Sequence, residues 1–233
     1  MSSVQMIERP FPIVEKQSAR AGYGGRFWMG ILLWIAFVAI SMLWIDHPVA
    51  LWFSYTQPGK RLEKFLTFAS FMGLYSIQIL IFFIFLALPS RKKLMIGYYL
   101  PTFVSLLFCT ALKMIIGRAR PPALHGPYHF EFLHGYRHQM ESLPSGEAAA
   151  SMVLATLLGI YFPRMKWAFW FLALWNALGR VSKSVHFVSD VTLGAGLGFL
   201  CVYLCYKRLG PSYYPSLFGR EAGKPAVADP MGV

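Results

Sequence analysis

Apolar positions in this chain come in long unbroken runs, not in alternation. Residues 79–88 are apolar at every position, and comparable stretches recur along the sequence. Six of them approach 20 residues, at about 27–45, 65–88, 94–116, 146–163, 167–182 and 188–206. A helix of about 20 residues crosses roughly 30 Å of hydrocarbon. Backbone groups in lipid must be bonded within the chain, so a helix satisfies them where a lone strand cannot. A membrane barrel would alternate with period two. The pattern predicts an all-α, polytopic membrane protein with six transmembrane helices. A leader over 1–26, a six-helix membrane domain over 27–208 and a mobile tail over 209–233 complete the expected organisation. The first run follows a polar leader and precedes no evident small-residue cleavage site, so it reads as a span and not a removable signal.

Composition sharpens this picture. The chain is 56% hydrophobic and only 14% charged, where a soluble domain carries about 25% charged residues. Lys and Arg number 22 against 10 Asp and Glu, a formal charge of +12. Such a balance in a soluble protein points to nucleic acid. Here the cations flank apolar spans, which makes anionic lipid headgroups the expected partner and excludes nucleic acid. Three cysteines make no disulfide framework or metal site; Cys201 and Cys205, one turn apart in the last run, read as small apolar residues.

The positive-inside rule sets an orientation. Lys16, Arg20 and Arg26, then Arg91 to Lys93, then Arg164 and Lys166, then Lys207 and Arg208 all fall on one side of a six-span layout. That side is the expected cytoplasm, with both termini inside. The opposite face carries Lys60, Arg61, Lys64, Lys113, Arg118, Arg120, Arg137, Arg180 and Lys183. Basic residues gathered into a site there would not count as ordinary loop charges.

Three segments on that second face carry candidate chemistry. Lys113 ends the third run, with Arg118 and Arg120-Pro121 just beyond it. A lysine near a span end also snorkels to the interface; the neighbouring Arg-Pro favours a phosphate site, since the guanidinium fork matches phosphate oxygens. Pro144-Ser145-Gly146-Glu147 opens the fourth run. Taken alone it is a capped helix start, whose free amides and dipole also favour an anion. Arg180, His186 and Asp190 close the set. Four residues apart, His186 and Asp190 share a helical face if the helix has begun. A carboxylate there can keep one imidazole nitrogen protonated and leave the other as a nucleophile. His125, His129, His134 and His138 crowd one outer loop, but their spacing fits no closed zinc pattern. Gly194 and Gly198 form a small-xxx-small pair, which predicts close helix packing.

The order K-x6-R-P, P-S-G-x, R-x5-H-x3-D resembles the type 2 phosphatidic acid phosphatase family, within the vanadium haloperoxidase superfamily. Lys113, Arg120 and Pro121 match its first motif, Pro144, Ser145 and Gly146 its second, and Arg180, His186 and Asp190 its third. The likeness spans residues 25–208. It implies that His186 is a nucleophile forming a phosphohistidine and that Asp190 orients it. Lys113, Arg120, Arg180, Ser145 and the Gly146 amide would cradle the phosphoryl oxygens, with no metal or other cofactor needed. Gly179 stands where the third motif often has serine, and Glu147 where the second has a histidine that protonates the leaving oxygen. Carboxyl groups in water ionise near 4.3 and imidazoles near 6.5, so Glu147 is the poorer acid at neutral pH.

The resemblance therefore implies a lipid phosphate or diphosphate phosphatase. Its site would sit at the outer water interface of a bacterial inner membrane, facing the periplasm. Undecaprenyl diphosphate, phosphatidylglycerol phosphate, phosphatidic acid and the phosphates of lipid A are the implied substrates. A lipid phosphotransferase using the same intermediate is a second reading. A catalytically silent lipid-phosphate binder, suggested by Glu147, is a third.

Overall fold

The structure, a computed structural model, describes residues 19–56, 59–68, 70, 75–87, 91–123, 125–133, 135 and 137–214; His134 and most of the leader and tail lie outside them. Among the described residues the regular elements are helices, with loops and a single isolated bridge, Arg118 to Phe130, between the fifth and sixth of them. In order they are α1 (Ala19–Ile40), α2 (Asp46–Thr56), α3 (Lys60–Leu66), α4 (Tyr75–Ala87), α5 (Arg91–Ile116), α6 (Gly146–Tyr161), α7 (Lys166–Ser182) and α8 (Val188–Leu209). A π turn, Ser41–Ile45, joins α1 to α2 without breaking the helix. Three stretches are long and apolar enough to cross a membrane: Gly25–Thr56, Lys92–Ile116 and Val188–Leu209.

One expected boundary moves. The first helix continues far past residue 45, to Thr56, because its apolar run resumes after Asp46. Within the second expected span, 65–88, the structure describes the end of a short helix, Lys60–Leu66, a turn at Thr67 and the helix Tyr75–Ala87; residues 69, 71–74 and 88 lie outside the described residues.

Helix α6 sits at the centre. Val153, Ala155 and Leu157 are completely buried on it, and it packs against α5, α7 and α8. The glycine pair expected to permit close packing does so. A Cβ at Gly194 would lie 2.3 Å from the Ser145 carbonyl oxygen, and one at Gly198 would lie 2.4 Å from that of Ala149. Gly196 faces the other way and receives the Trp34 indole of α1, whose Nε1 donates to the Thr192 carbonyl at 3.0 Å. Small residues thus let α8 touch the backbone of α6 and take the Trp34 ring of α1 against its own backbone, the close packing favoured in lipid. At Gly179 a side chain would meet the Leu66 carbonyl at 2.7 Å, so the serine common at this motif position does not fit beneath α3.

The start of the tail is not free. Tyr214 is buried in the core with Leu94, Tyr98 and Tyr161, and the Tyr213 carbonyl rests where a Gly97 side chain would be. The antiparallel course of α5 to α8 sorts the ends. Lys113, Gly146, Arg180 and His186 gather at one end; Lys93, Arg164, Lys166 and Lys207 gather at the other.

Candidate active site

The motif residues lie at helix ends or in the short segments next to them, Arg120 in the loop after α5. Lys113 lies in the last turn of α5, and Arg180 in the last turn of α7. Ser145 is the N-cap of α6, its Oγ accepting from the Ala148 amide at 3.4 Å. The cap leaves the Gly146 and Glu147 amides among the unsatisfied donors of the first turn. His186 precedes α8, which begins only at Val188. His186 and Asp190 therefore do not share a helical face. A turn after Lys183 brings the ring back over the helix start, and the Asp190 carboxylate accepts the Phe187 amide at 2.8 Å. That contact is the reverse half of a capping box, so one side chain both starts the helix and meets the histidine.

Most of the motif residues line one cavity of about 1170 Å³, while Ser145 and Asp190 are completely buried behind its wall. Lys113, Arg120, Arg180, Gly146, Glu147 and His186 form its polar end. The remaining wall runs down α5 through Leu106 and Phe103 to Met95. Eighteen residues separate Lys113 from Met95, about 27 Å of helix. Two guanidinium nitrogens, Arg120 Nε and Arg180 Nε, are buried without a hydrogen-bond partner. Donors left in this state in a cavity are matched to an anion. Glu147 holds Arg180 from one side, with Oε2 2.9 Å from Nη1. Asn176, fully buried on α7, ties this corner by donating to the Glu147 carbonyl at 3.4 Å and the Ser151 hydroxyl at 3.0 Å.

His186 is 4% exposed. Its Nδ1 stands 3.6 Å from Asp190 Oδ2, just beyond hydrogen-bond length, and has no other partner. Burial holds the imidazole below its ordinary value; Asp190 pulls it up, while Arg120 and Lys113 push it down again. The neutral ring, which can act as a nucleophile, is therefore favoured. Burial also lowers the Arg120 guanidinium, with Arg180 adding to the effect.

Four polar residues of this region are absent from the motif reading. Arg118, completely buried, turns away from the cavity and binds Asp190 Oδ1 at 2.6 Å and Asp46 Oδ2 at 2.7 Å. Ser142 donates to Asp190 Oδ2 at 2.5 Å. Glu141, 8% exposed, lines the cavity with Oε1 unpartnered. Asp46 carried a signal: it is the only Asp, Glu, Lys or Arg in residues 27–56, and an ionisable residue inside a span is a functional candidate. In the loop between α5 and α6 His125 and His129 stack at 4.6 Å, and His129 and Arg137 both approach Glu131. Of the described histidines in that group, His138 lines the cavity.

The family follows from comparison with known proteins. Residues 93–213 match the PAP2 superfamily, and the chain belongs to it. It is 35% identical over 193 residues to the lipid A 1-phosphatase of Rhizobium etli, covering 74% of this chain and 82% of that protein. It is 33% identical over 176 residues to the lipid A 1-phosphatase of Rhizobium johnstonii, covering 69% and 72%. The crystal structure of Aquifex aeolicus LpxE aligns with a TM-score of 0.52 at 25% identity, over 64% of this chain and 88% of that one. The chain is accordingly a phosphatase of this superfamily, built from apolar membrane helices.

Proposed function

We propose that the protein removes the 1-phosphate of lipid A, or a closely similar glycosyl phosphate of a membrane lipid, through a phosphohistidine at His186. One observation carries the reading. A phosphate-sized cluster of cations and free donors sits at the end of a trough whose long wall is apolar. A phosphate fits the first part and acyl chains the second. The substrate is suggested by the two relatives and by Glu147.

In the proposed reaction Lys113, Arg120, Arg180 and the α6 amides hold the phosphoryl oxygens. The Nε2 of His186, turned away from Asp190, attacks phosphorus as the bond to the leaving oxygen breaks. The Nδ1–H stays on the ring and moves into hydrogen-bond range of Asp190, which balances the imidazolium charge. Water then attacks the phosphohistidine, releasing inorganic phosphate and restoring the neutral ring. Fixed cations supply the charge compensation that metal ions supply in other phosphoryl transfers, so turnover survives excess chelator. The motif histidine is replaced by a carboxylate bound to Arg180, a poor proton donor. An anomeric oxygen, stabilised by the adjacent ring oxygen, leaves with less help than a simple alkoxide. That favours glycosyl phosphates and diphosphates over alkyl monoesters such as phosphatidic acid. Glu147 is placed to activate water in the second step.

In the proposed setting six helical passes put the site at the periplasmic interface of the inner membrane, with both ends of the chain in the cytoplasm. The two-ended distribution of cations supports this. Purified protein presented with bis-phosphorylated lipid A, phosphatidic acid and undecaprenyl diphosphate in mixed micelles tests the substrate. Phosphate release, with loss of the 1-phosphate by mass spectrometry, is the expected result. Preferential loss of the other sugar phosphate, faster release from phosphatidic acid, or transfer to a lipid acceptor would each replace the proposal.

A further inference from the structure

We infer that Asp46, supplied by the first helix, and Arg118 are positioning residues that hold the Asp190 carboxylate behind His186. The long helix is then a working part of the site and not only an anchor. The inference rests on the proposed roles of His186 and Asp190. Residue 46 lies outside the family match, which begins at 93.

The geometry is that of a closed chain. Arg118 donates from Nη1 to Asp190 Oδ1 at 2.6 Å and to the Ser189 hydroxyl at 2.6 Å. It donates from Nη2 to Asp46 Oδ2 at 2.7 Å and from Nε to the Pro127 carbonyl at 3.0 Å. Asp46 also accepts the Ser189 amide at 2.9 Å and the Ser189 hydroxyl at 2.5 Å. Phe187 covers the guanidinium face, with Arg118 Cζ 4.3 Å from the ring centroid. Asp46, Arg118 and Asp190 have no exposed side-chain surface. Their neighbours on the first helix, Leu43, Trp44 and His47, are exposed. The π turn immediately before Asp46 widens the helix by one residue, a device that redirects side chains at functional positions.

The charges explain why two carboxylates are needed. Arg118 alone would fix Asp190 but would also offset its negative field at the imidazole. Asp46 balances Arg118, so Asp190 keeps its pull on the Nδ1–H while staying locked in place. When Nε2 bonds to phosphorus, the ring becomes cationic, and this pull acts most strongly there.

The test uses the full-length protein in mixed micelles with bis-phosphorylated lipid A. Loss of an outer hydrogen-bond partner behind a metal-ligating histidine typically costs roughly 10–100-fold in affinity or activity, and a histidine that bonds phosphorus is held to the same scale. Asp46→Asn is expected to lower kcat by about tenfold or more on that scale, with KM and inhibition by inorganic phosphate unchanged. It also moves the acid limb of kcat/KM to lower pH, since the imidazole loses part of its negative surroundings. Besides Asp190, the groups facing or sharing the cavity with His186 are Lys113, Arg120, Arg180, His138, Glu141 and Glu147; none changes in this variant. Arg118→Lys keeps the charge but loses the fork, so kcat falls while the limb stays in place. Parental kcat and pH profile in Asp46→Asn overturn the inference. So does a loss shared equally by kcat, phosphate binding and thermal stability, the mark of a purely structural role. Full activity in His186→Ala would instead remove the underlying mechanism; an inactive His186→Ala beside a normal Asp46→Asn removes only this inference.

Discussion

The two sides of His186 are built on opposite principles. Behind it, Asp46, Arg118, Ser189, Ser142 and Asp190 form a sealed network in which the guanidinium and both carboxylates are bonded. In front of it, Arg120 and Arg180 keep buried donors without partners, at the mouth of an open trough. The rear is complete before substrate arrives; the front is completed by the substrate. A buried polar network fully satisfied is rigid, whereas an unsatisfied one costs free energy until an anion fills it. Rigidity therefore lies where the nucleophile must be aimed, and the unmet hydrogen-bonding demand lies where the phosphate must bind.

The largest expected effect separates the two sides. His186→Ala removes the group between them and should lower kcat by about 10⁴-fold or more, as for other nucleophiles, with the protein still monodisperse in detergent. Residual turnover within tenfold of the parent would move the nucleophile elsewhere. Next comes the front wall. Arg120→Ala removes a donor aimed at the phosphoryl group and should cost roughly 10²–10³-fold in kcat/KM while leaving the melting temperature near the parent value. A large drop in stability without loss of phosphate affinity would place Arg120 with the structural network.

The pH profile gives a smaller effect of known sign. His186 reacts neutral, and burial with the nearby cations holds its protonation below the ordinary imidazole value. Activity should persist as pH falls through about 6.5 and decline only below it, after allowance for the substrate's own ionisation. An acid limb at or above that value would show that Asp190 outweighs burial. The smallest effect concerns the scaffold. Gly198→Ala would drive a methyl group into the Ala149 carbonyl and should destabilise by about 1–3 kcal/mol, read as a lower melting temperature. An unchanged melting temperature would show that α6 and α8 can separate without penalty.

Much of the front wall is legible in the sequence, and little of the rear. Lys113, Arg120, Gly146, Arg180 and His186 stand at or just beyond the ends of apolar runs, so helix packing delivers them to one end. Asp46 and Ser189 are 143 positions apart, and no periodicity links them. The helical membrane class was legible from the runs, and the α6–α8 contact from two glycines. The reach of the first helix was not, because a uniformly apolar segment carries no boundary signal. The serine-free position at Gly179 became intelligible only once α3 was seen to lie against it.

Trapping the intermediate tests the central claim most directly. Substrate labelled with ³²P at the cleaved phosphate, quenched in alkali within milliseconds of mixing, should leave acid-labile, base-stable label on the peptide containing His186. Asp190→Asn should reduce that label, and His186→Ala should abolish it. Turnover at the parental rate with no such label at any quench time, or label that persists in His186→Ala, would contradict the account.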